Sequence, residues 1–161
     1  MTADPFSPGG VVFRPVSGNL VTVRLISAGL SLGIPLLALA ALAVWVTPWF
    51  WLGAAVPLAL LLWLLWLVPR QVRAIGYAEA DDDLVIRRGI LFKSMSIVPY
   101  GRMQFVDVHQ GPLDRHFGIS SVQLHTASAS TDATLPGLPA DEASRLRDRL
   151  PARGKARLAG L

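Results

Sequence analysis

LISAGLSLGIPLLALAALAVWVTPWFWLGAAVPLALLLWLLWLVP, residues Leu25 to Pro69, is a run of 45 residues without a single Asp, Glu, Lys, Arg or His. A helix rises about 1.5 Å per residue and the hydrocarbon core of a bilayer is roughly 30 Å thick, so one span cannot use the whole run and two can. The break falls at Thr47-Pro48-Trp49: Pro48 has no amide to give a helix interior and disfavours helical geometry at Thr47. Helices are expected at about Leu25 to Val46 and Trp49 to Val68, joined by a very short turn. A secretory signal peptide is the competing reading, with Ala41-Leu42-Ala43 as its small-residue cleavage site. The run is too long for a signal h-region, and cleavage there would leave the second span starting almost at the new terminus.

Charge sets the orientation. Arg14 and Arg24 precede the first helix, Arg70 and Arg73 follow the second, and the connecting turn carries no cation. Basic flanks are retained on the cytoplasmic side, so a multi-pass membrane protein with both termini in the cytoplasm is expected. Trp45, Trp49 and Trp51 mark the outer turn and Trp63 and Trp66 the inner boundary, the levels where amphipathic rings settle. Gly29 and Gly33 form a GxxxG spacing that lets a helix backbone approach closely, either the second helix of this chain or a helix of another. Pro35 and Pro57 are candidate kink points. With no ionisable side chain in either span, an ion or proton pathway has no carrier, which argues against a transporter or channel.

The whole chain has 161 residues, 52% of them hydrophobic and 16% charged, a balance that excludes disordered and fibrous classes. Fifteen Lys/Arg against 11 Asp/Glu give a net charge of +4, all of it outside the apolar run. Cysteine is absent, which removes disulfides, thiolate metal sites and thiol nucleophiles, and is compatible with a reducing compartment.

Beyond Arg73 the pattern changes to short alternating runs punctuated by Gly, Pro and Asp, as in a small antiparallel sheet domain. Strands are expected at about Ala74 to Ala80, Leu84 to Arg88, Phe92 to Val98, Met103 to Gln110, Ser121 to Thr126 and Ala133 to Leu138. Leu84 with Ile86, Met95 with Ile97, Val106 with Val108 and Val122 with Leu124 alternate inward and form the expected core. Gly111 to Gly118 reads as a short helical turn opened by Pro112. A terminal helix is expected over Ala140 to Leu150, with Asp141 and Glu142 at its start, Arg145, Arg147 and Arg149 towards its end, and Ala143, Leu146 and Leu150 as its apolar stripe. Residues 151–161, with Arg153, Lys155 and Arg157 and no acid, are expected to be a disordered basic tail.

Val98-Pro99-Tyr100-Gly101-Arg102-Met103-Gln104-Phe105-Val106-Asp107-Val108, then Gln110-Gly111-Pro112-Leu113 with Arg115, Phe117 and Gly118, then His125-Thr126-Ala127-Ser128, resembles the bacterial pleckstrin-homology (PH) domain of membrane proteins, type 2, in which a helical hairpin precedes the domain. The resemblance covers Leu25 to Leu150. It implies an α+β protein of a bacterial cytoplasmic (inner) membrane: a cytoplasmic segment over 1–24, a transmembrane α-helical hairpin over 25–69, and over 70–150 a PH-like antiparallel β-barrel or sandwich capped by a C-terminal α-helix. PH-like folds have seven strands and only six are legible, so one is sought near Ile75 or by splitting Met103 to Gln110. Residues 1–23 match no motif.

Candidate sites are few. Arg102, Gln104 and Arg115 could contact an anionic head group or a partner peptide, arginine being suited to forked recognition; the alternative is that Asp107 and Asp114 hold these arginines as loop braces. Arg87, Arg88 and Lys93 lie in the hairpin that carries the lipid signature of eukaryotic PH domains, or else simply guard a sheet edge. His109, His116 and His125 lack metal-ligand spacing. Ser120-Ser121 and Ser128-Ala129-Ser130-Thr131 sit in no nucleophile elbow or phosphate loop. No cofactor and no enzyme activity are expected. The arginines of the terminal helix and tail suit an anionic leaflet, each contributing about 1 kcal/mol near the surface, better than nucleic acid, given the scarcity of aromatics there. The expectation is a non-enzymatic, bilayer-anchored interaction module that assembles with itself or with a related PH-domain membrane protein. The alternative is a module that senses anionic lipid.

Overall fold

A computed structural model describes residues 12–127 and 132–159, with side chains through Gly154. The chain divides into a helical unit, Val21–Arg70, and a second unit built from the described residues up to Leu20 together with those from Gln71 onward.

Two helices make the first unit. α1 spans Asn19–Trp45 and α2 spans Phe50–Arg73, 27 and 24 residues, each long and apolar enough to cross a membrane. They press together where residues are small: Ala43 and Ala54 are buried, and a Cβ on Gly53 would stand 3.7 Å from a Leu39 methyl. Gly29 and Gly33 are not part of that contact. An added Cβ at either would meet nothing within 4 Å, so packing of α1 on α2 makes no use of the GxxxG spacing. The break at Thr47 to Trp49 stands as expected.

Both helices run further on their flanks than the charge-free run suggests. α1 begins at Asn19, where Ser17 Oγ accepts the Asn19 amide at 3.2 Å, a capping contact that hydropathy does not register. α2 passes Pro69, which forfeits only one backbone hydrogen bond, and Arg70 lies over the Trp66 ring 3.6 Å from its centroid.

The second unit is a pair of antiparallel sheets. One has the order β1-β2-β3-β4, with β1 Arg14–Pro15, β2 Gly76–Glu79, β3 Asp83–Arg88 and β4 Ser94–Pro99. The other has the order β5-β6-β7, with β5 Met103–His109, β6 Ile119–Thr126 and β7 Ala133–Pro139. The sheets stay separate and do not close into a barrel. The seventh strand is therefore neither near Ile75 nor a split of Met103 to Gln110. It is Arg14–Pro15, ahead of the helices, pairing with Tyr77 and Gly76. Two residues of strand carry no alternation to read, and only the tertiary pairing defines them.

Leu84, Ile86, Val106, Val122 and Leu124 are buried as expected, and Leu135, Leu138, Ala143, Leu146 and Leu150 join them. Val108 is only half-buried, and the β4 face departs from the expectation. Val98 is buried opposite Leu84, whereas Ile97 is 54% exposed. A slip of one residue exchanges the faces of a strand, and the alternation of Met95 with Ile97 selects the outer one.

α3, Pro112–His116, connects β5 to β6, and Asp114 reaches back to accept the Gly111 amide at 3.1 Å. α4 spans Ala140–Ala159, running on beyond Leu150, so the segment expected to be a disordered tail is helical to Ala159. The reason lies in its seat. A Cβ on Gly154 would sit 2.6 Å from the Tyr100 carbonyl oxygen, and Arg153 donates to the Tyr100 hydroxyl at 3.3 Å and the Ala80 carbonyl at 3.4 Å. Packing against the 3-10 turn Tyr100–Arg102 holds the helix through Pro151.

Candidate functional site

The β3–β4 register places Arg87 and Arg88 opposite Met95 and Ser94, with Gly89 to Lys93 as the connecting loop. Arg87 and Arg88 are already engaged within the domain. The Arg87 guanidinium lies 4.6 Å from the centre of the Phe13 ring, and Arg88 Nη2 donates to the Thr134 carbonyl at 2.9 Å, tying one sheet to the other. The hairpin thus makes no pocket of free guanidinium forks. Its tip is apolar instead: Leu91 and Phe92 are 87% and 92% exposed.

Arg102, Gln104 and Arg115 are exposed, on the 3-10 turn, on β5 and on α3 respectively. The two aspartates expected to brace them have other partners. Asp114 is committed to the Gly111 amide, and Asp107 lies 3.6 Å from His125 Nε2. Among the described residues neither Arg102 nor Arg115 is ion-paired with either aspartate.

His125 is the most elaborated of the three histidines. It stands between Asp107 and Asp132, the latter 3.1 Å from Nδ1, and stacks on Phe105 with ring centres 4.3 Å apart. Asp132 also accepts the Thr126 amide at 2.8 Å, and that bond first, with His125 after it, holds its carboxyl below the ordinary range. Among the described residues no group of His, Asp and Glu is arranged to hold a metal. Ser128, Ser130 and Thr131 lie outside the described residues.

The strongest electrostatic cluster was not visible in advance. Glu79, at the end of β2, faces Arg145, Arg149 and Arg153 of α4, with Arg149 and Arg153 at 3.6 and 3.8 Å from Oε2. Arg145 also grips Glu142 at 2.6 Å, while Glu142 accepts the Tyr77 hydroxyl at 2.7 Å and has Arg14 at 3.4 Å. The bond from Arg145 draws the Glu142 carboxyl down to about 2, and burial together with that carboxylate pushes Tyr77 up to about 12. The cluster fastens β1, β2 and α4 together. Arg145, Arg149 and Arg153, read as part of a basic face towards a leaflet, are thus internal ties, and Arg147 pairs with the adjacent Asp148; the side chains of Lys155 and Arg157 lie outside the described residues. A spacing of four residues, 145, 149 and 153, is the signal for one helix face; it is missed when the helix is ended at Leu150.

The two open sheets have four outer strands, β1 and β4 in one and β5 and β7 in the other. β4 and β5 are outer strands of their sheets, and among the described residues nothing pairs with their free sides. Each carries an outward apolar residue, Ile97 at 54% and Phe105 at 49% exposure.

A model of the family described as "Bacterial PH domain" matches residues 19–153. The UPF0699 transmembrane protein YdbS of Bacillus subtilis (strain 168) is 36% identical over 74 residues, a stretch that covers 46% of this chain and 45% of that relative. The chain thus spans less than half of the length of the curated relative it matches. No solved structure matches it.

Proposed function

Since the chain belongs to the bacterial PH domain family and carries two helices of membrane-spanning length, we propose that it is a membrane-anchored, non-catalytic assembly module whose domain joins a second copy of itself or a related PH-domain membrane protein. The observation that carries this reading is that the outer strands β4 and β5 pair with no further strand among the described residues and turn Ile97 and Phe105 outward. Natural proteins blunt exposed edges with charge, proline or cover, and an apolar, unpaired edge is a template for strand addition by a partner. The basic flanks of the helices support a cytoplasmic position for the domain and both termini. Pairing of β1 with β2 across the two helices supports the same topology, since both flanks then share one sheet.

The test is extraction of the full chain in mild detergent after cross-linking in its own membrane. A stoichiometric complex is expected, dispersed by the double substitution Ile97→Lys with Phe105→Lys. Recovery as a monomer at native level, or a complex untouched by that pair, would count against the reading.

A further inference from the structure

The loop Gly89 to Lys93 is built to hold apolar side chains out. Gly89 takes φ +98°, and a Cβ there would stand 1.9 Å from the Phe92 carbonyl oxygen, so the backbone is folded tightly on itself at a position only glycine tolerates. What this tight turn presents is Ile90, Leu91 and Phe92, at 39%, 87% and 92% exposure, with Phe92 the most exposed large apolar residue described. A soluble domain gains nothing by fixing a leucine and a phenylalanine in water; such a feature marks a surface meant to be covered.

Two observations identify the cover. The first is position. Gly76 pairs with both Pro15 and Arg87, so the end of the sheet that carries this loop is also the end where the chain leaves for α1 and returns from α2. Only Ala74 and Ile75 separate Arg73, the last residue of α2, from Gly76, and the three Cα-to-Cα steps between them reach no more than about 11 Å. The second is charge. From Leu84 to Val106 there is no carboxylate, while Arg87, Arg88 and Lys93 flank the apolar tip. Apolar residues ringed by cations are the chemistry of insertion into an anionic interface.

We infer that Leu91 and Phe92 insert into the anionic leaflet of the membrane that α1 and α2 cross, making the β3–β4 loop a further attachment point of the domain. Arg87 and Arg88 stay with Phe13 and Thr134 and supply field rather than head-group recognition. The contact is with bilayer in general and selects no particular head group. It is independent of the assembly edges at Ile97 and Phe105.

The chain has no cysteine, so a single Leu91→Cys substitution in the full protein accepts one nitroxide label without background. Reconstituted in vesicles of phosphatidylethanolamine and phosphatidylglycerol, the label is expected to collide readily with oxygen and poorly with a water-soluble nickel chelate, while the same label at Ser144→Cys on α4 shows the reverse. Replacing both lipids by phosphatidylcholine is expected to make the label at 91 shallower. Free collision with nickel at 91 would overturn the proposal. Exclusion of both oxygen and nickel would overturn it equally, by showing a protein partner over the loop. An unchanged depth in phosphatidylcholine would overturn the role given to the cations.

Discussion

Leu37 and Leu135 are the same side chain under opposite rules. In α1, Leu37 is 72% exposed and belongs to a helix whose outer faces are apolar throughout; in β7, Leu135 is fully buried beneath α4. The helical unit keeps its few buried residues small, Ala43 and Ala54, and turns its large ones outward. The sheet unit buries Tyr100, Leu124, Leu138 and Leu146, and among the described residues its exposed large apolar side chains are confined to Val12, the β3–β4 loop, Ile97 and Phe105. One chain therefore uses two solvents, hydrocarbon around the first unit and chiefly water around the second, and apolar content alone does not distinguish core from surface. Probes for the two units are separate by composition, because all five tryptophans lie between Trp45 and Trp66 and both tyrosines, Tyr77 and Tyr100, lie in the sheet unit.

The largest expected break in this comparison comes from cavities. Leu135→Ala should destabilise the sheet unit by about 2–5 kcal/mol, read as a lower thermal midpoint of the tyrosine near-ultraviolet signal, while Leu37→Ala leaves tryptophan emission and membrane insertion close to wild type. A comparable loss for both would show that Leu37 is packed against protein. Next is Leu37→Arg, which places a charge in the span at a cost of about 2.5–3.5 kcal/mol on insertion scales. The inserted fraction should fall in a membrane-flotation assay, with soluble-domain folding unaffected.

How much of this was legible in sequence follows the same division. The hairpin was readable because hydrophobic matching to a bilayer is a property of composition, and its break at Pro48 is a local backbone rule. The strands β2 to β7 and the stripe Ala143, Leu146 and Leu150 were readable from alternation and helical spacing. Arg14–Pro15 was not, since two residues hold no period, and neither was the continuation of α4, because its seat on Tyr100 is a tertiary contact that overrides Pro151. Of the candidate site residues, Arg88 and Arg87 are spent on Thr134 and Phe13. No sequence pattern announces such long-range partners. The exposed edge residues Ile97 and Phe105 went unread for the opposite reason, as alternation had assigned Ile97 to the core.

A smaller effect is expected where the sheet unit holds the chain ahead of α1. Gly137 sits at φ +72°, Ser17 donates its amide to the Gly137 carbonyl at 2.8 Å, and a Cβ there would come within 2.7 Å of Leu20. Gly137→Ala should cost about 1–3 kcal/mol, lowering the tyrosine midpoint and leaving tryptophan emission unchanged; an unaltered midpoint would show that Leu20 moves aside freely.

The smallest effect is acid sensitivity. Glu142 is held at about 2 against an ordinary 4.5, chiefly by the bond from Arg145. A depressed carboxyl contributes stability that is complete above its unfolded value and lost as pH falls through its folded one, so the tyrosine midpoint should decline between pH 4.5 and 2. Glu142→Gln should remove part of that slope. The charge-free run from Leu25 to Pro69 has nothing to titrate, and tryptophan emission is expected to stay flat in the same window.

β1 pairs with β2, which brings the chain on either side of the two helices into one sheet and supports the proposal that both flanks lie on one side of the membrane. Single-cysteine labelling in intact cells with a membrane-impermeant maleimide reads this directly, using Gly18→Cys ahead of α1, Thr47→Cys between the helices and Ser144→Cys on α4. The account predicts labelling of Thr47→Cys in intact cells, with Gly18→Cys and Ser144→Cys labelled only after permeabilisation. Opposite behaviour of Gly18→Cys and Ser144→Cys would contradict it.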